Sequence, residues 1–272
     1  MAGVLEAAGP DDWRSPDPAN TLYMQVQSGT VVIELAPQFA PNVIDNIRRM
    51  VRAGYFADAS VVRSQENYVA QWAVWGSDGP APLPDGVAES VTAEFYRSAD
   101  GLAITEIDSR DAYADVVGFV DGFPVGRDQD GERAWLVHCN SMVGVGRDVA
   151  ADSGTGAEMY AVTGHAPRHL DRNVVLIGRV LHGMEHLTTL PRGTEALGFY
   201  ASTDDYVPVK QLRFASDVPE DERLSIDVLR TDTETFEQLV EARRHRAEEW
   251  FIDPTDHVGI CNVPLPVRVN TP

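Results

Sequence analysis

The feature that most constrains the fold is a series of short β-type runs, interrupted early by one amphipathic helical segment. Two runs, at 22–27 and 30–36, are separated by Ser28-Gly29, a dipeptide typical of a hairpin turn. Over 40–54 the period changes to that of a helix, with Pro41 in the first turn and Gly54 at the end. The chain therefore opens with the order strand, strand, helix.

Further β-type runs continue along the chain, and a second, short helical segment follows most of them. The runs lie at 60–75, 134–139, 142–146, 158–163, 174–181 and 207–214, and the short helix lies at 182–190. Many short strands with a helix near each end of the series favour a mainly β fold, namely a closed antiparallel barrel capped by two helices.

We expect three parts along the chain. Residues 1–20, rich in Pro, Asp and Ala, predict an extended and poorly ordered arm. Residues 21–215 form the barrel domain. Its stretch at about 76–133 is interpreted as a long inserted loop, because it has too few apolar residues for a core of its own. Residues 216–272 predict a C-terminal strand-helix extension packed on the barrel, with a charged helix at 233–250.

The charge of the chain argues against two classes of partner. It has 42 acidic and 22 basic residues, which give a formal net charge of −20. Such a surface is repelled by phosphate backbones and by anionic lipid headgroups. No stretch approaches the roughly 20 apolar residues that span a bilayer. We expect no nucleic-acid partner, no membrane partner and a monomeric protein.

Cysteine and histidine usage limits metal and redox chemistry. Cys139 and Cys261 are too few for a disulfide framework or a tetrathiolate site, and leave open one long-range disulfide or two buried thiols. Two histidine pairs have a spacing of four residues, but neither has the third ligand and nearby acid of a zinc site. These pairs are His182 with His186 and His165 with His169. We expect no metal and no other cofactor.

Two long segments of the sequence resemble one known family. The stretch GTVVIELAPQFAPNVIDNIRRMVRAGYFADAS, at 29–60, resembles the opening hairpin and first helix of bacterial cyclophilins. Residues 142–190 contain GHAPRHLDRN, IGRV and GME in family order and at family spacing. The matching segments cover roughly residues 22–75 and 142–214. The resemblance implies a closed eight-stranded antiparallel barrel and peptidyl-prolyl cis/trans isomerase activity that assists protein folding.

The resemblance implies that Arg63 is the catalytic residue and that Gln71 helps to place it. Rotation about an X–Pro bond has a barrier of about 18–20 kcal/mol, because it destroys amide resonance. The proline nitrogen of the twisted amide regains a lone pair, to which a fixed guanidinium can donate a hydrogen bond. Taken without the resemblance, Arg63 is an ordinary strand arginine in a surface ion pair.

The resemblance also implies a cup for the proline ring and a rim for the flanking peptide. Burial of the pyrrolidine ring in an apolar cup anchors the substrate. The implied substrate-binding residues are Tyr68, Val69, Gly146, Arg147, Glu158, Tyr160, His169 and Leu170.

Several of these positions depart from the usual residue of the family. Val62 stands where His is common, Tyr160 where the family has Phe, and Glu158 where it has a second Gln. Gly146-Arg147 replaces a common Ala-Asn pair. His169 replaces the Trp of the vertebrate enzymes, so we expect weak cyclosporin binding. The departures bear on the rate, and the alternative hypothesis is a catalytically weak proline-peptide-binding module or chaperone.

The expected partners are proline-containing polypeptide substrates. Bacterial members of this long form resemble exported periplasmic proteins. The first 13 residues lack the basic and apolar parts of a signal peptide and are typical of the start of a mature exported chain. We expect a periplasmic location, with the cytoplasm as the alternative.

Overall fold

Eight strands close into an antiparallel barrel in the computed structural model, which describes residues 2–270. The strands are β1 (Thr21–Val26), β2 (Gly29–Leu35), β3 (Ser60–Ser64), β4 (Val69–Ala73), β5 (Met142–Val145), β6 (Glu158–Val162), β7 (Leu176–His182) and β8 (Val207–Phe214). Around the barrel they are ordered β5-β6-β4-β3-β8-β1-β2-β7, and β7 pairs back to β5. The closed eight-stranded antiparallel barrel expected from the sequence is confirmed.

Alternating strand positions build the core of the barrel. On β1, Leu22, Met24 and Val26 are buried, whereas Tyr23 and Gln25 between them are only partly buried. This period of two places one side of the strand inside the barrel. Burial of each large apolar side chain contributes about 1.5–3 kcal/mol before the entropy of ordering is counted.

Two helices complete the core, as the sequence predicts. Helix α1 (Pro41–Arg52) starts with a proline, whose fixed φ suits the first helical turn. Helix α2 (Met184–Thr188) is one short turn. Ile47 and Met50 of α1 and Leu187 of α2 belong to the same buried cluster as the strand residues.

The first hairpin turns one residue earlier than the sequence pattern indicates. Val26 pairs with Gly29, so the turn residues are Gln27 and Ser28. Gly29 itself lies in β2, where a Cβ atom would come within 2.2 Å of the His186 ring. Close approach of that ring and the φ of 157° at Gly29 both favour glycine at this position.

Residues 17–96 and 138–223 form the barrel unit, and the remaining described residues form a second unit with its own sheets. One sheet of the second unit has five strands and the other has three. The five are Arg97–Ser98, Arg133–Leu136, Phe123–Arg127, Val116–Val120 and Thr105–Glu106, and the three are Trp13–Arg14, Ser225–Leu229 and Val267–Asn270. The helices of this unit are Ala2–Ala7 and Glu234–Arg244.

This grouping corrects the domain boundaries predicted from the sequence. Residues 97–137 are not a coreless loop, because they share buried residues with the C-terminal segment: the ring of Phe119 lies 5.2 Å from that of Phe236. Residues 2–20 are not an extended arm, since Trp13 pairs with Leu229. The predicted boundary at 215 falls earlier than the observed one at 223. Local patterns miss these pairings because the partners are far apart in sequence.

The C-terminal helix is shorter than the predicted 233–250. The side chain of Thr233 accepts a hydrogen bond from the backbone N–H of Phe236 and caps the helix, which ends at Arg244. Leu239 is buried as predicted, but Trp250 lies beyond the helix and is 82% exposed. Within residues 2–270, none of the helices combines the length and apolarity needed to cross a membrane.

Candidate active site

The barrel unit contains a cavity of about 760 Å³ that is lined by most of the residues singled out from the sequence. All of the predicted site residues except His169 line it. The lining residues predicted from the sequence are Arg63, Tyr68, Val69, Gln71, Gly146, Arg147, Glu158, Tyr160 and Leu170. Residues from distant parts of the chain therefore meet at one hollow.

A row of cross-strand neighbours positions the central side chains. Arg63 on β3 pairs with Gln71 on β4, Gln71 pairs with Tyr160 on β6, and Tyr160 pairs with Gly144 on β5. Directly opposed residues of antiparallel strands have Cβ atoms about 4.5–5.5 Å apart, so their side chains contact each other. The register shifts between Val61 and Arg63, an irregularity that re-aims the strand at the catalytic candidate.

The guanidinium of Arg63 is held by three protein acceptors. Its Nε donates to the backbone oxygen of Leu197 at 2.6 Å, its Nη1 donates to Oε1 of Gln71 at 3.2 Å, and its Nη2 donates to Oε1 of Gln65. Each terminal nitrogen carries two N–H groups, so one on each remains for a ligand. Burial lowers the pKa of Arg63 from its usual value, yet arginine stays charged at any physiological pH.

Two residues that the sequence analysis missed complete the surroundings of Arg63. The ring of Phe199 lies 5.2 Å from the guanidinium carbon and stacks on Trp75 at 5.6 Å. Leu197 has a left-handed backbone with φ of 59°, an uncommon conformation for a residue other than glycine. Its carbonyl lies 134 positions from Arg63 in sequence, so no local pattern could have identified it.

Gln71 connects Arg63 to the carboxylate of Glu158. The amide Nε2 of Gln71 donates to Oε2 of Glu158 at 2.8 Å, and the indole Nε1 of Trp75 donates to Oε1 at 3.2 Å. A carboxylate only accepts hydrogen bonds, so it orients the amide oxygen of Gln71 toward the guanidinium. Burial raises the pKa of Glu158, and the two hydrogen bonds oppose that shift.

The four residues predicted to form the apolar cup, Tyr68, Val69, Tyr160 and Leu170, all line this cavity. The Tyr160 ring is buried, and its hydroxyl lies 2.9 Å from Nε2 of His138. The hydroxyl that Tyr160 has in place of a Phe hydrogen thus has a buried partner in His138. Burial raises the pKa of Tyr160, so the phenol keeps its proton.

His169 is the predicted site residue that lies outside the cavity lining. The turn Arg168–Leu170 directs Leu170 into the cavity, whereas the His169 side chain is exposed. Its ring stacks on Tyr68 with a centroid distance of 6.1 Å and an interplanar angle of 6°. His169 therefore supports one side of the cup rather than lining it.

Gly146 and Arg147 lie on the rim of the cavity. The backbone N–H of Gly146 donates to the carbonyl of Glu158 at 2.9 Å, and a Cβ on Gly146 would lie 3.0 Å from Oε2 of that residue. Arg147 is exposed and donates through Nε to the carbonyl of Asn173 at 2.8 Å. The glycine leaves the carboxylate accessible, and the arginine is tied to the protein backbone.

Metal chemistry has no candidate centre in the part of the chain that the structure describes. No group of three or more His, Cys, Asp or Glu side chains there is placed to hold a metal ion. His182 and His165, from the two spaced pairs, lie outside the cavity lining. The groups around the cavity are instead hydrogen-bond donors, acceptors and apolar rings.

Comparison with known proteins gives one family and similar solved structures. A family model described as cyclophilin type peptidyl-prolyl cis-trans isomerase matches residues 21–213. The crystal structure of cyclophilin AquaCyp293 from Hirschia baltica is similar with a TM-score of 0.75 and 26% sequence identity, over 97% of this chain and 96% of that chain. Comparison with curated proteins gives no match.

A more distant structure shows a weaker likeness. A cyclophilin type peptidyl-prolyl cis-trans isomerase from Cryptosporidium parvum, crystallised in the presence of the dipeptide Ala-Pro, has 10% identity and a TM-score of 0.47. The alignment covers 71% of this chain and 98% of that chain. The family model, by contrast, matches residues 21–213, which is most of the chain. The chain belongs to the cyclophilin-type peptidyl-prolyl cis-trans isomerases.

Proposed function

We propose that this isomerase accelerates X–Pro rotation through Arg63, with Gln71 as its orienting partner. The observation that carries the proposal is the guanidinium held by three acceptors at the edge of an apolar cup. A catalyst of this reaction needs no covalent bond and no proton transfer. It needs to bind the twisted amide more tightly than the planar one.

The held guanidinium supplies that difference in binding. In the planar amide the nitrogen lone pair is delocalised into the carbonyl and accepts no strong hydrogen bond. In the twisted amide the lone pair is localised, and a free N–H of Arg63 donates to it. Because the fork of Arg63 is already fixed by Leu197, Gln71 and Gln65, little ordering remains to be done when the substrate twists.

The cup and the rim hold the two ends of the rotating bond. Tyr68, Val69, Tyr160 and Leu170 hold the pyrrolidine ring, and burial of that ring anchors the substrate. Gly146, Arg147 and Glu158 contact the flanking peptide. Proline-containing polypeptides are thus the proposed substrates, whereas the net charge of −20 argues against nucleic acids and anionic lipids.

Substitution of Arg63 tests the proposal. We expect Arg63→Ala to lower kcat/KM for a proline tetrapeptide at least about tenfold, since it removes the donor to the twisted nitrogen. We expect Arg63→Lys to lose nearly as much activity, because an ammonium keeps the positive charge but lacks the planar, forked set of N–H donors of a guanidinium. Isomerisation is measured by NMR exchange spectroscopy, and thermal unfolding checks that the variants fold.

Arg49→Ala is the matched control, because Arg49 is an exposed arginine on α1 that does not line the cavity. It should retain the activity of the unmodified protein. Full activity in Arg63→Ala would remove Arg63 from the mechanism. Negligible activity in the unmodified protein would favour the alternative of a proline-peptide-binding module.

The raised pKa of Glu158 predicts an acid limb in the activity. As the pH falls through that pKa, which lies above the ordinary value of 4.5, Glu158 gains a proton and loses acceptor capacity. If the Gln71 amide turns to accept from the acid, its NH2 group points at the donors of Arg63. We therefore expect kcat/KM to fall on the acid side.

The variant Glu158→Gln removes this titration and should flatten the acid limb, while keeping an oxygen for Gln71. The substitution Glu237→Gln, at an exposed position of the C-terminal helix, is the matched control and should keep the limb. The same limb in Glu158→Gln and in the unmodified protein would mean that another group titrates.

We also propose a periplasmic location. Both cysteines, Cys139 and Cys261, are disulfide-bonded, so neither is a free thiol. Structural disulfides persist in oxidising compartments and are rare in the cytosol. Protein isolated from its native source and denatured without reductant should resist alkylation at both cysteines. Alkylation of both under those conditions would favour the cytoplasm.

A further inference from the structure

A buried series of hydrogen bonds begins at Tyr160, which we call the floor of the proline cup, and leads away from the cavity. Oη of Tyr160 lies 2.9 Å from Nε2 of His138, and Nδ1 of His138 lies 2.8 Å from Oδ1 of Asp171. Oδ2 of Asp171 accepts from Nε of Arg168 at 2.7 Å. His138 is 0% exposed and Asp171 is 3% exposed. A buried polar group is costly without partners, so each link stabilises the next.

The chemistry of these side chains fixes the direction of each hydrogen bond. The carboxylate of Asp171 only accepts, so Nδ1 of His138 carries the proton. In the neutral imidazole, Nε2 is then an acceptor, and the Tyr160 hydroxyl donates to it. Burial lowers the pKa of His138, which favours this neutral form. The phenol is therefore held in one orientation.

The same series of hydrogen bonds also reaches Leu170, which we call the wall of the cup. Asp171 ends the turn Arg168–Leu170, which carries Leu170 into the cavity. The backbone N–H of His138 also donates to Oδ1 of Asp171 at 2.9 Å. His138 thus joins the floor residue Tyr160 to the turn that carries the wall residue.

A glycine makes room for the Tyr160 ring and its hydroxyl. Gly144 lies opposite Tyr160 on β5, and a Cβ there would come within 2.4 Å of the Tyr160 oxygen. No L-residue with a side chain fits at that distance unless the ring moves. The same Cβ would lie 2.5 Å from the ring carbon that bears the hydroxyl, so the glycine leaves room for the aromatic ring as well as for its hydroxyl.

We propose that His138 is a positioning residue of the isomerase, which fixes the Tyr160 ring and the Leu170 turn as one rigid seat for the proline ring. This inference rests on the proposed function, in which these residues form the cup. His138 does not line the cavity, so it acts through Tyr160 and Asp171. Its effect falls on substrate binding, because the cup holds the ring in the planar and twisted states alike.

The tautomer of His138 gives a direct test in the unmodified protein, and one variant extends it. In ¹⁵N NMR of the folded protein, Nδ1 of His138 should be protonated at neutral pH and Nε2 should show the shift of an unprotonated acceptor. In Tyr160→Phe, the Nε2 resonance should move because its donor is lost. A proton on Nε2 at neutral pH would overturn the proposal.

Two substitutions and their combination measure the functional role. His138→Asn keeps a donor for Asp171 but removes the acceptor for Tyr160, and Tyr160→Phe keeps the ring but removes the hydroxyl. We expect each to raise KM for a proline tetrapeptide about fivefold, as loss of one buried hydrogen bond predicts, with kcat changed less than about twofold. The double variant should match either single variant, because both remove the same contact.

The outcome separates this inference from the proposed catalytic role of Arg63. Folded single variants with unchanged KM, or a double variant whose KM is about 25-fold raised as for independent sites, would overturn the role of His138. If His138→Asn does not fold, KM of Tyr160→Phe and the ¹⁵N tautomer decide. Loss of activity in Arg63→Ala alongside a normal KM in His138→Asn would contradict only the positioning role. Full activity in Arg63→Ala would contradict the catalytic assignment whatever His138 does.

Discussion

The proposed activity depends on one guanidinium, that of Arg63, being held in place beside the cavity. Arg63 is held by a backbone carbonyl and two side-chain amides, and its flat surface lies near the rings of Tyr68 and Phe199. A long, flexible side chain ordinarily loses entropy when it is fixed. In this protein the side chain is already fixed by folding, so in the proposed mechanism that entropy is not lost again in each turnover.

The barrel makes this possible because closure places distant strands side by side. The row of Arg63, Gln71, Tyr160 and Gly144 crosses four adjacent strands. The polar contacts run from Arg63 through Gln71 to Glu158, and Tyr160, the next residue of the row, lines the same cavity. Polar orientation and apolar anchoring therefore share one sheet surface, and a change in strand register would separate them.

The parts of the site that the sequence could predict are those with a local pattern or a family motif. Arg63, Gln71 and the cup residues lie in two continuous segments, and the early strands follow period-two alternation. Leu197 and Phe199 were missed because they reach the site from a loop whose sequence has no periodicity. His138 was missed because nothing in the β-type run 134–139 indicates its contact with Tyr160. The second unit escaped for a related reason: its strands pair residues near the N-terminus with residues near the C-terminus, such as Trp13 with Leu229.

The most direct measurement is of binding and on-enzyme exchange in the same sample. NMR titration of a proline peptide into Arg63→Ala gives Kd, and exchange spectroscopy on the saturated complex gives the cis/trans interconversion rate. If the guanidinium acts on the twisted amide, Kd should stay within about threefold of the unmodified protein, while the interconversion rate falls at least about tenfold. A proportional loss of binding and exchange, or an unchanged exchange rate, would contradict the account.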